Sequence, residues 1–204
     1  MLAELRPLVS GPFTRSDGRG EAVPLIDMPQ PANLSWITDH LAIGGSFRSE
    51  AAEALARELR ISAVIDLRIE ACDDVALLRR HGIAFLHLPT EDHCAASQPM
   101  LREGVAFARR HLDRGKRVLI HCEHGIGRSA TLALCVLVAR GQAPLEALSL
   151  AKRRRSLVSP SPGQYEAWVS WLQGFQRESG ASWAIPTFDA FAAIAYSHLQ
   201  AKAR

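Results

Sequence analysis

Residues 121–129 read His-Cys-Glu-His-Gly-Ile-Gly-Arg-Ser, a cysteine and an arginine separated by five residues, two of them glycine. That order suits the capture of a phosphate dianion and attack upon it. Free backbone N–H groups at the start of a helix, with the positive end of its dipole, hold such an anion. Gly125 and Gly127 let the backbone curl round it, at positive φ or where a Cβ would clash. Arg128 closes the cradle with a planar fork that reaches two oxygens at once. The same donors stabilise a thiolate at Cys122 before substrate arrives. A free cysteine ionises only near about 8.5, so the loop is expected to make Cys122 nucleophilic near neutral pH. His121 is placed to brace the loop through a hydrogen bond to backbone, and Ser129 to donate its hydroxyl to the cysteine sulfur. Glu123, His124, Gly125, Ile126, Gly127 and Arg128 are the residues expected to surround the bound group.

Such a loop needs a strand to deliver the nucleophile and a helix to supply the amides. Val118-Leu119-Ile120, β-branched and aliphatic, runs into Cys122, and 130–140 follows as an almost wholly apolar helix ended by Gly141. Positions 41–43, 62–67, 83–88 and 117–121 read as strands, separated by helical patterns at 50–59 and 100–113. This alternation predicts an α/β layered fold. Downstream, 145–155 forms a helix whose basic end, Arg153-Arg154-Arg155, is expected to face solvent. Pro160-Ser161-Pro162-Gly163 starts a further helix through Phe175. Residues 1–34 read as an irregular arm, 35–178 as the folded domain and 179–204 as a helical extension carrying Phe188, Phe191, Ile194 and Tyr196. Packing of that extension on the domain is the simpler expectation, and a partner or dimer surface the alternative.

A chain of 204 residues, 48% hydrophobic and 22% charged, has the makings of one domain with a substantial core. Its net charge of +3 gives no case for a nucleic-acid partner. Cys72, Cys94, Cys122 and Cys135 lack the spacing of a disulfide scaffold or a zinc site, which fits a reducing compartment and no metal. Cys135, inside the apolar helix, reads as a small core residue. Glu4, Arg6 and Pro7 break up the start of the chain, unlike a secretory leader, and the longest apolar stretch, 130–139, is too short to span a bilayer. A soluble, cytoplasmic protein without a cofactor is expected.

Every fixed position of 121–129 matches H-C-x-x-G-x-x-R-[ST], and the chain thereby resembles the dual-specificity branch of the protein tyrosine phosphatase superfamily. The likeness extends over about 36–175: 37–45 looks like the family's first strand and turn, and 61–67 like the strand after its first helix. It implies a central twisted, mostly parallel sheet of four to five strands with helices on both faces. It also implies metal-independent hydrolysis of phosphomonoesters through a cysteinyl-phosphate, on phosphotyrosine and phosphoserine or phosphothreonine in proteins. The resemblance puts a general acid in a loop upstream of the cysteine. Asp92, in Leu88-Pro89-Thr90-Glu91-Asp92-His93, lies 30 residues before Cys122, with Glu91 and His93 as capable neighbours. Gln164 is similar to a glutamine that some members use to orient the hydrolytic water, and equally suits a solvent-facing helix start. The loop lacks the lysine that phosphoinositide phosphatases of the superfamily tend to carry; Glu123 would oppose a polyanion if it faced the pocket, and would brace the loop if it pointed away. A phosphorylated lipid, sugar or nucleotide is the alternative substrate. A catalytically silent phosphoprotein-binding module would be marked by loss of the cysteine, arginine or acid, and none is lost. Asp66 and Arg68 read as a strand-end cap outside the site. Cys72 and Cys94 are candidates to trap an oxidised Cys122 as a disulfide.

Overall fold

The computed structural model describes residues 15–16, 22–23 and 33–200. The chain divides into two units, 1–30 and 31–204. In the first, Arg15–Ser16 (β1) pairs antiparallel with Ala22–Val23 (β2); the rest of the expected arm up to 32 lies outside the described residues.

The second unit is built on a five-stranded sheet. Leu34–Trp36 (β3), Leu41–Gly44 (β4), Ile61–Arg68 (β5), Ala84–Thr90 (β6) and Arg117–His121 (β7) are ordered β3-β4-β7-β5-β6. Only the β3–β4 pair is antiparallel; the other three are parallel. The interior strands are largely apolar because both faces are covered. Val118, Leu119 and Ile120 of β7 are all 0% exposed. Successive side chains leave on opposite faces. On one face, Leu41, Ile43, Ile65, Val118 and Ile120 share a core with residues of Gln98–Leu112 (α3), Arg128–Ala139 (α4), Pro144–Arg154 (α5) and Pro162–Ser179 (α6). On the other, Ala42, Val64 and Leu119 meet Leu55 of Ala52–Arg57 (α1) and Leu78 of Val75–Arg80 (α2). This is the α/β layering that the alternation of runs predicts, with the mostly parallel sheet and two covered faces that the family resemblance implies.

Positions 128–138 of α4 are all buried, which is why its sequence is apolar on every side from 132 to 138. Gly104 lets α3 approach it: a Cβ there would stand 2.8 Å from the Leu132 methyls. Strand β6 continues through Pro89, which an edge strand tolerates because no inner partner needs that N–H. Strand β3 and helix α2 went unanticipated. Three and six residues are too few to establish a period, although Asp74 does cap α2 by accepting from Leu77 N–H at 2.9 Å.

Phe188–Ala195 (α7) and Ser197–Gln200 (α8) close the described chain. Phe191 is 0% exposed and lies in the main core against Tyr165, Trp168 and Tyr196. Helix α7 therefore packs as part of the domain, while Phe188, 40% exposed, remains outward.

Candidate active site

Strand β7, the centre of the sheet, ends at His121, and the chain curls through 122–127 before α4 begins at Arg128. Cys122 Sγ lies 3.3 Å from the Gly125 N–H and 3.3 Å from Ser129 Oγ. Gly125 takes φ +70°, and a Cβ there would meet the Gly44 backbone at 2.5 Å. Gly127 has ordinary φ but faces Gln164, whose Oε1 would be 2.5 Å from a Cβ. Both glycines are thus required, for the two different reasons their chemistry offers. The sulfur opens onto a cavity of about 200 Å³ lined by Asp92, His93, Cys122, His124, Ile126, Gly127, Arg128, Ser159, Ser161 and Gln164.

Arg128 is 3% exposed and almost fully engaged. Its Nη1 donates to Glu70 Oε2 at 2.8 Å and to the Thr90 carbonyl at 2.9 Å, and its Nη2 donates to Glu70 Oε1 at 2.7 Å. Asp92 Oδ1 stands 3.2 Å from Nη2, so the loop after β6 and the loop after β7 meet at this guanidinium. Nε is buried without a hydrogen-bond partner. Burial pulls Arg128 down, yet the Glu70 bonds and the charges of Cys122, Glu70 and Asp92 leave it raised. Glu70 answers from the other side: the Arg128 hydrogen bonds lower it to about 2. No sequence signal marks Glu70. It stands in a loop with no motif, 58 positions from its partner.

Behind the loop, His121 is held by a carboxylate rather than by the backbone bond expected for it. Its Nε2 lies 2.9 Å from Asp73 Oδ2, its Nδ1 has no hydrogen-bond partner, and Phe47 lies against its ring at 4.9 Å. Arg68 donates through Nε and Nη2 to Asp66, at 3.0 and 2.9 Å, and through Nη2 to Asp73 at 2.6 Å. The cap expected at Asp66 and Arg68 is present, since Arg68 N–H also donates to Asp66, but it extends into a buried brace for His121. Asp66, Asp73 and His121 could each offer a metal ligand atom, all within 4.8 Å of one another. Arg68 already supplies a cation that hydrogen-bonds both carboxylates.

Three further sequence expectations are narrowed or corrected. Glu123 does not face the pocket: its Oε1 accepts from Ser46 Oγ at 3.1 Å and its Oε2 lies 3.7 Å from Arg68, which leaves His124, Ile126 and Gly127 to line the wall. Gln164 is neither solvent-facing nor loose. It is 2% exposed, with Oε1 accepting from Ser161 N–H at 2.8 Å and Nε2 donating to the Cys94 carbonyl at 2.8 Å. Arg155, read as a solvated helix end, is 5% exposed and donates to the carbonyls of Gly125 and His124. Ser159 and Ser161, also lining the cavity, escaped notice because nothing local marks a loop serine as facing a site elsewhere in the chain.

Cys135, buried in α4, has its thiol pushed well up by desolvation and fits an inert core position. Cys72 and Cys94 are exposed; the Cys94 Sγ is 3.9 Å from Glu91 Oε2, and burial followed by the charges of Asp66 and Asp73 raises Cys72.

A thiol at a helix N-terminus, an arginine with one open donor and a carboxyl across the same cavity can together attack a phosphate ester and protonate its leaving group. The family described as dual specificity phosphatase, catalytic domain, matches residues 45–173, and the chain belongs to it. Dual specificity protein phosphatase 5 of Homo sapiens is 32% identical over 141 residues, covering 65% of this chain and 35% of that protein. Phosphatidylglycerophosphate phosphatase PTPMT1 of Arabidopsis thaliana is 31% identical over 119 residues, 56% of this chain and 35% of that one. The matched span is therefore about a third of each relative's length. Among solved structures, the active form of Tk-PTP superposes with a TM-score of 0.63 at 28% identity, covering 72% of this chain and 99% of the other. PTPMT1 in complex with PI(5)P gives 0.68 at 22% identity, covering 72% and 99%, a likeness of fold alone.

Proposed function

We propose that this chain hydrolyses phosphomonoesters in two steps, with phosphotyrosine and phosphoserine or phosphothreonine of proteins as substrates. Cys122 thiolate attacks phosphorus in line, the P–S bond forms as the P–O bond breaks, and the leaving oxygen takes its proton from Asp92. Water then attacks phosphorus and gives a proton to Asp92, and the thiolate departs with a hydrogen bond from Ser129. Arg128 Nε and the loop amides hold the equatorial oxygens throughout. Gln164 fixes the acid loop through the Cys94 carbonyl, and its remaining amide N–H is the group left to touch the hydrolytic water. The scheme calls on no metal or organic cofactor.

The observation that carries this reading is that Cys122 lines one cavity with an Arg128 whose Nη atoms are fixed by Glu70 and whose buried Nε is unpartnered. Arg128 is the one Lys or Arg among the lining residues, which favours a single phosphate over a polyphosphorylated head group. The lipid reading keeps some support from the PTPMT1 relative and from Glu123, which turns away and removes one objection to it. A cytoplasmic location belongs to the same proposal and rests on four free cysteines.

Turnover of para-nitrophenyl phosphate in EDTA is the first test. Cys122→Ser should abolish it, and Asp92→Asn should lower it by about 10²–10⁴; full turnover by Cys122→Ser would remove the nucleophile from the scheme. Parallel assays on phosphopeptides and on a phosphorylated lipid in micelles separate the two substrate classes.

A further inference from the structure

Four consecutive carbonyls of the nucleophile loop are each held from outside the cradle. Ser46 N–H donates to the Glu123 carbonyl at 2.9 Å and Ser159 N–H to that of Ile126 at 3.0 Å. Between them, Arg155 Nη2 donates to the His124 carbonyl at 2.9 Å and Arg155 Nε to the Gly125 carbonyl at 2.8 Å. In a trans peptide the C=O and N–H point to opposite sides. Every carbonyl drawn outward therefore turns the next residue's N–H inward, for His124, Gly125, Ile126 and Gly127 in turn. The Gly125 N–H is accordingly found on Cys122 Sγ.

Two of these four holds belong to one side chain. Arg155 follows directly on α5, and its other donors reach Ser35 Oγ at 3.3 Å and Asn33 Oδ1 at 3.0 Å. Among the described residues, no carboxylate forms an ion pair with it. A buried guanidinium that meets only neutral acceptors carries a desolvation cost with no local counter-charge. The charge it does sense is that of Cys122: burial pulls Arg155 down, and the thiolate pulls it the other way.

We propose that Arg155 is a positioning residue of the reaction, aiming the Gly125 and Ile126 amides at the bound phosphate and placing an unpaired positive charge behind the thiolate. The proposal rests on the reading of 122–128 as a phosphate cradle. Only a guanidinium can do both, because a lysine ammonium keeps the charge but not the planar fork that spans two carbonyls.

The test uses the full chain and the alkylation of Cys122 by iodoacetamide, mapped by mass spectrometry to separate it from exposed Cys72 and Cys94. Inorganic phosphate is the protecting probe, so turnover is not needed. Arg155→Met should need about tenfold more phosphate for equal protection and should alkylate more slowly below neutral pH, while thermal unfolding stays cooperative. Arg155→Lys should recover the alkylation rate and keep the weaker phosphate protection, a split that a purely structural role would not produce. Wild-type protection and alkylation in a folded Arg155→Met overturn the proposal; if that variant does not fold, wild-type protection in Arg155→Lys does so. Should phosphate fail to protect the unaltered chain, the cradle reading itself has failed, and this proposal with it.

Discussion

Glu70 decides which donors of Arg128 are engaged and which is left unpartnered. By accepting from both Nη atoms it fixes the plane of the guanidinium, and Nε stays open. Its lowered value of about 2, against an ordinary 4.5, has a consequence for acid stability. A carboxyl depressed in the folded state favours folding fully above its unfolded value and loses that contribution as pH falls towards the folded one. The Glu70 contribution is therefore complete above about 4.5 and drains away towards about 2. Because the Glu70 side chain is 40% exposed, solvent screens the pair and the effect is modest. Urea unfolding of Glu70→Gln at pH values spanning that window should show a shallower loss than the unaltered chain; parallel loss would mean the pair contributes nothing.

At the scale of elements, the corner between α5 and α6 ties three parts of the chain together. Ser159 N–H holds the nucleophile loop, Ser161 Oγ donates to the His93 carbonyl at 3.0 Å, and Gln164 donates to that of Cys94. From behind, the buried Lys152 of α5 donates through Nζ to the Val158 carbonyl at 2.9 Å and to the Ala195 carbonyl at the end of α7 at 2.7 Å. Tyr196 OH completes the tie by donating to the Pro160 carbonyl at 2.7 Å. Helix α7 is thus an anchor for the wall of the cavity. Phe191→Ala should cost about 3–5 kcal/mol by chemical denaturation and lower para-nitrophenyl phosphate turnover in the variant that remains folded. A loss under about 1 kcal/mol would mean that the helix only rests on the surface.

Across the whole molecule, the site forms where the parallel strands end: Gly44, Arg68, Thr90 and His121 close β4, β5, β6 and β7. Open α/β sheets bind ligands outside the carboxyl ends of their strands, where helix N-termini and loops converge. The core that supports this edge reaches beyond the family-matched span of 45–173, since Ile37, Leu41 and Ile43 precede it and Phe191 follows it, all 1% exposed or less. A fragment limited to 45–173 should consequently show no cooperative thermal transition. Cooperative unfolding of that fragment, followed by calorimetry, would show the outer elements to be dispensable.

The strand–loop–helix unit and its chemistry were legible because they are local. Val118–Ile120, Cys122, Gly125, Gly127, Arg128 and Ser129 are sequence neighbours, and the backbone alone brings them to one point. The sheet was legible in outline because strands buried on both faces are largely apolar. Asp92 could be named only with help from the family pattern. Whatever acts across the fold stayed hidden: Glu70 on Arg128, Asp73 on His121, Arg155 on the loop carbonyls and α7 behind Ser159. A lone charged residue looks the same in sequence whether it meets water or a buried partner. Burial and partner are properties of the packed chain, and packing decided that Arg155 faces inward while Glu123 turns away from the phosphate cradle.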